Sequence, residues 1–363
     1  MARGKVWLMG GVSVLGAAAL AVAASCLGSG CSSLGYYAQA AGGQVDLLQR
    51  SRPVADWLAD ESTPTALRER LLLTQRERGF AVSELKLPDN ASYHRYADLE
   101  RDAVVWNVVA APELSLKLKT WCFPVLGCVG YRGYFNRDEA HALADALKAE
   151  GWEVSVYGVP AYSTLGWTNW MGGDPLLNTF VHWPEGDLAR LVFHELAHQV
   201  VYADDDTTFN ESFATAVERI GVQRWLAQQA SPHAAAEYEA LNARRQDFRA
   251  LTLKTRRELE AVYASALPDV AKREGKAAVL AAMRADYAVL KATRWGGFAG
   301  YDGWFARANN AAFGVQAAYH ELVPAFERLF HASDGDFERF YAEVQQLAAL
   351  PKDERRAKLL ASH

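Results

Sequence analysis

The sequence has no long basic run: its 38 Lys and Arg are outnumbered by 43 Asp and Glu, leaving a net charge of −5. Nucleic-acid binding draws on a clustered positive surface, so nucleic acid is not expected among the partners of this chain. Internal repeats and low-complexity linkers are also lacking, which excludes a solenoid and points to one folded unit. Cysteine is scarce, four in 363 residues. Two of the four, Cys122 and Cys128, enclose a five-residue loop, longer than the arms of zinc-binding cysteine pairs, so they are expected to form a disulfide in an oxidising compartment. What remains is ordinary for a globular protein, with 50% apolar and 22% charged residues. Eleven Trp and fifteen Tyr are generous, and many fall between Trp106 and Trp183, as core or as a substrate-lining surface.

The N-terminus differs from the rest. Arg3 and Lys5 lead into an uncharged stretch from Val6 to Ala24 rich in Ala, Val, Leu and Gly, the layout of a secretory signal. A permanent span needs about 20 residues of greater hydrophobicity. Cysteine arithmetic favours processing and lipidation at Cys31: Cys26 then leaves with the signal, and the remaining pair is even. The motif departs from the usual pattern in having Gly28 where leucine is common, with Leu27 one place early. Plain secretion with cleavage near Ala24 is the alternative. The expected location is therefore the periplasmic side of a bacterial membrane, held by an N-terminal lipid, and Ser32 is compatible with the outer membrane.

Periodicity predicts an α+β fold, a small sheet with helices around it and a mostly helical C-terminal half. Residues 36–80 read as helices punctuated by Pro53 and Pro64. Val104–Val109, Ser115–Trp121, Tyr131–Phe135 and Glu153–Val159 read as strands of one sheet, with Thr179–Trp183 as a further short strand. A helix capped by Asn136 or Asp138 and ended by Gly151 lies among them. Asp187 is expected to cap a helix over Leu188–Tyr202, and another begins near Thr207. Ala234–Ala264 and Asp269–Arg294 predict a long helical hairpin broken at Pro268, and further helices run from Asn309 to Leu360. The expected division is a signal over 1–30, a core over 31–230 and a helical extension over 231–363 packed on it.

The chemistry gathers in Leu191–Val200. His194 and His198 are four residues apart, so on a helix they share a face and can offer ring nitrogens to one ion. Glu195 lies beside them, placed to hold a water rather than the metal. Twelve positions after His198 comes Asn210-Glu211-Ser212-Phe213-Ala214, near the start of the next helix. A turn at Asp204–Asp206 would fold that helix back and set the Glu211 carboxylate beside both imidazoles. Two histidines and a glutamate leave a fourth tetrahedral position open, the arrangement of a catalytic zinc. Such an ion lowers the pKa of water to about 7, and Glu195 would take the proton as general base.

The pair His194-Glu195-Leu196-Ala197-His198 and Asn210-Glu211 resembles the gluzincin metallopeptidases. With the segments around Trp121–Phe135, Ala161–Trp167 and Asp174–Phe180, the mature chain from Gly35 is similar to a bacterial family of zinc aminopeptidases, many of them lipoproteins. The resemblance implies a zincin-like sheet, one Zn2+ per chain, peptide substrates, His194, His198 and Glu211 as ligands and Glu195 as base. The longer spacing common in that clan would instead suit Glu218, seven residues beyond Glu211 and on the same helical face. Glu218 is thus an alternative ligand or a partner that orients a histidine. The Gly-x-Met-Glu-Asn motif that captures a substrate amine in aminopeptidase N-type enzymes is missing. Glu113 and Asp174 are the candidates for that part, and Tyr157, Tyr162 and Tyr301 for an oxyanion donor. Two other readings stay open: a zinc amide hydrolase acting on cell-wall peptides, and a non-catalytic metal-containing lipoprotein.

Overall fold

The computed structural model describes residues 31–123, 127–161, 172–204, 206–316 and 322–361. The expected signal over 1–30 and the candidate Tyr162 lie outside them. Among the described residues no helix is long and apolar enough to cross a membrane. The fold is α+β. Helix α1 (Cys31–Arg50) leads through β1 (Arg52–Pro53) into α2 (Val54–Ala59) and α3 (Thr65–Ser83); β2 (Arg95–Ala97) and β3 (Val105–Ala111) follow. Strands β4 (Trp121–Phe123), β5 (Gly127–Val129) and β6 (Arg132–Tyr134) precede α4 (Arg137–Ala149), β7 (Glu153–Val159) and β8 (Leu176–Leu177). Beyond them the described chain is all helix: α5 (Glu185–Ala197), α6 (Thr207–Gln228), α7 (Pro232–Ala264), α8 (Asp269–Thr293), α9 (Asp302–Arg307), α10 (Asn310–Gln316), α11 (Val323–Ala332), α12 (Phe337–Ala348) and α13 (Lys352–Ala361).

Three small sheets replace the single one expected: β1-β2-β8, β6-β3-β7 and the β4-β5 hairpin. In the second, β3 pairs antiparallel with both neighbours, and its pleat sends alternate residues to opposite faces. Trp106, Val108 and Ala110 pack on Ala140, Ala144 and Leu147 of α4, while Val109 and Ala111 meet Ala311 of α10. Helix α4 starts where Asn136 Oδ1 accepts from the backbone N of Asp138 at 2.8 Å, and the chain leaves it through Gly151 at φ +88°.

The alternation of Ser115–Trp121 is real but does not make a strand. Leu116 is buried in a cluster under the α7–α8 hairpin and Leu118 packs near Val109 and Ala111, so the two leucines serve different cores. Only Trp121 continues into a ladder, in the hairpin where Cys122 lies opposite Cys128 and the two are joined by a disulfide. Thr179–Trp183 turns instead of extending. The parallel pairing stops at Leu177, because Asn178 spends its side chain on Leu99 N and Arg101 O, at 2.8 and 3.0 Å.

Helix α5 begins at Glu185, two residues before the expected cap, because Pro184 sets the first turn. Asp187 then pairs with Arg245 of α7 at 2.6 Å instead of capping. The helix ends at Ala197, capped by His198 at helical angles, well short of Tyr202. Helices α5 and α6 form the middle of the main core, with Val192, Phe193 and Leu196 against Phe209, Phe213 and Val217, all of zero exposure. Their close approach needs Gly221: a Cβ there would stand 2.7 Å from Leu85 Cδ1 and 2.9 Å from Phe193 Cδ2. Helices α11 to α13 belong to this same core, Phe326 lying 5.0 and 5.7 Å from the rings of Phe209 and Phe213. The α7–α8 hairpin has its own cluster, which takes in Trp295, Tyr301 and Phe305 from the glycine-rich break that follows it.

One core residue is out of keeping with its surroundings. Glu77 of α3 is fully buried, and neither carboxylate oxygen finds a hydrogen bond among the described residues. Burial pushes its pKa well above the usual 4.5; Arg70 and Arg76 pull it back and Glu185 pushes it further. The native state therefore keeps the neutral acid, whereas the unfolded chain ionises it. The stability this gives is full below pH 4.5 and is lost as pH rises toward the native pKa. Glu77→Gln, which keeps the shape without the proton, should gain in Tm over the wild type progressively from about pH 5 to pH 8. A constant Tm difference across that range would mean that Glu77 is not held neutral.

Candidate metal centre

Contacts between α5 and α6 form an antiparallel ladder. Glu185 accepts from Trp225 Nε1 at 3.0 Å, Arg190 Nε meets Glu218 at 2.7 Å, His194 lies between Glu218 and Glu211, and His198 faces Glu211. The turn between the helices is fixed from two sides. Asn210 holds the backbone of Ala203 with both ends of its amide, at 2.8 Å each. Asp206, wholly buried at the N-terminus of α6, accepts from Phe209 N at 3.3 Å and is gripped by Arg355 and Arg356 of α13 at 3.2 and 2.6 Å. The helix that carries Glu211 is therefore locked at its start by the end of the chain. Nothing local in the sequence announces that pairing, because the partners are about 150 residues apart.

At the centre, the Nε2 atoms of His194 and His198 are 3.1 Å apart, and Glu211 Oε2 lies 3.4 and 3.7 Å from them. The edges of a tetrahedron around an ion with bonds of 2.0–2.2 Å are about 3.3–3.6 Å. Three electron-pair donors so close repel one another unless a positive charge lies among them. In the metal-free protein a proton supplies it: burial opposes protonation of His194, but Glu211 and Glu218 outweigh it and lift the pKa to about 10. His198, buried beside that charge, is pushed down to about 4. The donor set thus fits a metal ion.

His194 is anchored and His198 is not. His194 Nδ1 lies 2.8 Å from Glu218 Oε2, and Glu218 Oε1 accepts from Arg190. Burial pushes the Glu218 carboxyl up, but Arg190 and His194 hold it down to about 2, so it stays ionised. Glu218 thus sits on the side of the imidazole away from the convergent nitrogens, where it orients the ring. His198 Nδ1 is buried with no hydrogen-bond partner among the described residues. Glu195, next to His194 in the chain, has its carboxyl raised to about 7 by burial, with His194 opposing and Glu211 and Asp174 adding to the rise.

The remaining candidates separate. Asp174 is buried beside Ser92 and Tyr93 and acts electrostatically on Glu195, whereas Glu113 is half exposed and paired with Arg273 at 2.9 Å. Tyr157 accepts weakly from Asn107 Nδ2 at 3.4 Å, and Tyr301 is stacked on Phe248 at 4.4 Å in the hairpin cluster. Sequence reasoning missed Tyr131 and Tyr202, both within electrostatic reach of Glu211; Tyr131 is pushed up to about 12 by partial burial and then by Tyr157 and Glu211. It also missed Arg190, although its position one turn before His194 was a usable signal. Asn309 and Asn310, at the start of α10, bond to Val154 O and to Pro112 O, each at 2.9 Å.

Compared with known proteins, residues 35–359 match the model of a family described as Putative aminopeptidase. No curated protein and no solved structure matches the chain.

Proposed function

The chain belongs to that putative aminopeptidase family, and from this premise we propose that it is a zinc-dependent peptidase whose single ion is held by His194, His198 and Glu211. The observation that carries the proposal is the convergence of two imidazole nitrogens and one carboxylate oxygen within 3.7 Å, with a half-buried Glu195 next to His194 in the chain. When bound, zinc would polarise the substrate carbonyl and make a water more acidic. Glu195 would take the proton of that water at its carboxylate and pass it to the leaving amine; a carboxyl raised by burial is a stronger base than a solvated one. Glu218 and Arg190 hold His194 in the required tautomer, and Asn210 keeps the turn that aims Glu211. The purified mature protein should contain about one zinc per chain. Chelation should abolish peptide hydrolysis and zinc should restore it. Peptides with free N-termini should be cut and their acetylated forms spared if Asp174 receives the amine. A metal-free preparation that hydrolyses peptides at full rate would defeat the reading.

We also propose export and lipid attachment at Cys31 on the periplasmic face of a bacterial membrane. The disulfide between Cys122 and Cys128 supports export, since such bonds persist in oxidising compartments, and it is the even pair that processing at Cys31 would leave. Mass spectrometry of the processed protein should find acyl chains on an N-terminal Cys31. An unmodified terminus near Ser25 would refute it.

A further inference from the structure

Glu211 depends on its backbone for its aim. Among the described residues its carboxylate has no hydrogen bond or ion pair beyond the two histidines, whereas His194 has Glu218 behind it. Glu211 is the fifth residue of α6, so its place follows from how the first turn of that helix is held. The hold is Asp206. Its backbone O accepts from Asn210 N at 3.1 Å, one residue before Glu211. Both of its carboxylate oxygens are taken. Oδ1 accepts from Phe209 N at 3.3 Å and from Arg356 Nη2 at 2.6 Å, and Oδ2 from Arg355 Nη1 and Arg356 Nε, each at 3.2 Å. Arg355 also bonds to Ala348 O and Leu350 O, at 3.1 and 2.9 Å, and its guanidinium lies 5.2 Å over the Phe209 ring. Leu359, one turn further on, is buried in the main core and fixes α13 there. The last described helix thus meets the first turn of the helix that carries the third donor, and the link runs through one buried carboxylate.

We propose that Asp206, Arg355 and Arg356 are positioning residues for the metal ligand Glu211, so that the affinity of the site for its ion depends on the docking of α13. This rests on the metal reading above. A coordinating oxygen has to stand within about 0.2 Å of its place. Glu211 is only about 7.5 Å along the helix axis from Asp206. Over so short a length a helix moves as a rigid body, so a displacement of its first turn is passed on to the carboxylate. The clamp suits that task. A two-pronged arginine fixes a carboxylate in direction as well as in distance, and the pairing is shielded, the side chains of Asp206 and Arg355 being 0% and 6% exposed. The two histidines, on α5, are outside this hold, which therefore acts on one donor of the three.

The test compares variants of the full mature chain. Zinc affinity is read by competition with a chromophoric chelator well below each Tm, and the donor set by the visible spectrum of the cobalt(II)-substituted protein. Asp206→Asn keeps an acceptor for Phe209 N but removes the charge that the arginines hold. It should bind zinc about 10-fold more weakly, within the range for residues that orient a ligand, and its cobalt bands should shift. Arg356→Gln is the gentler change, in a side chain 29% exposed, and should act in the same direction. Arg356→Lys should keep part of the affinity, because it retains the charge without the fork. Leu259→Ala, in the separate cluster of the α7–α8 hairpin, is the control: Tm should fall while zinc affinity and the cobalt spectrum stay as in wild type. Wild-type zinc affinity in folded Asp206→Asn and Arg356→Gln proteins, whatever their Tm, overturns the positioning role alone. An equal loss of zinc affinity in Leu259→Ala traces the effect to general destabilisation and overturns it too. A wild type that takes up no zinc overturns the metal reading and the clamp with it.

Discussion

Glu195→Gln should retain about one zinc per chain and lose between about 100- and 10,000-fold in peptide hydrolysis, the range typical of general acid–base catalysis. The amide has the volume of the carboxyl and leaves His194, His198 and Glu211 untouched, so the ion's three protein donors remain at their present separations. What disappears is the ability to accept a proton beside the three donors. Glu195 is half-buried, and desolvation is the largest influence on its carboxyl, raising it to about 7. The measurement is kcat/KM together with zinc content on one preparation. Full activity with normal zinc would remove Glu195 from the chemistry and require another group to carry the proton. Loss of zinc would show instead that Glu195 helps to hold the ion.

The convergence of His194, His198 and Glu211 was legible in the sequence because their spacing is local. Four positions between His194 and His198 are one helical turn, and the Asn-Glu dipeptide after a short turn leaves few ways for the next helix to return. The support for those residues was harder to read, because it comes from distant parts of the chain. Arg355 and Arg356 reach Asp206, and Arg245 reaches Asp187, and in each case only the folded core decides which charges meet. The same reason explains the sheet. An alternating pattern such as Ser115–Trp121 states that successive side chains face opposite ways, but not whether the two sides belong to one core or to two. The start of α5 was misread for one local and one distant reason: Pro184 starts the helix, and Asp187 is occupied by an arginine 58 residues away. The α+β class survived these errors, because it depends on the number and kind of elements rather than on their limits.

Glu211→Ala should strip zinc from the protein, whereas Glu218→Ala should only weaken its hold, and the contrast decides which glutamate is the ligand. Glu211 Oε2 is 3.4 and 3.7 Å from the two Nε2 atoms, on the side where they converge. Removing it leaves two donors, too few for a site that needs three protein ligands. His194→Ala and His198→Ala remove a donor each and should do the same, with activity falling in step with zinc. Glu218 faces Nδ1 of His194, across the ring from the donors, so its loss frees the ring to rotate or change tautomer without removing a ligand. Changes of that kind usually cost about 10- to 100-fold in metal affinity. Arg190 would also lose its carboxylate partner, placing Glu218→Ala toward the larger end. His198 is spared, since its Nδ1 has no contact with Glu218. Zinc per chain after dialysis against a graded series of chelator concentrations separates the two cases. If Glu218→Ala empties the site while Glu211→Ala retains zinc, the ligand lies two helical turns further along α6, and the imidazole of His194 must turn over to meet it.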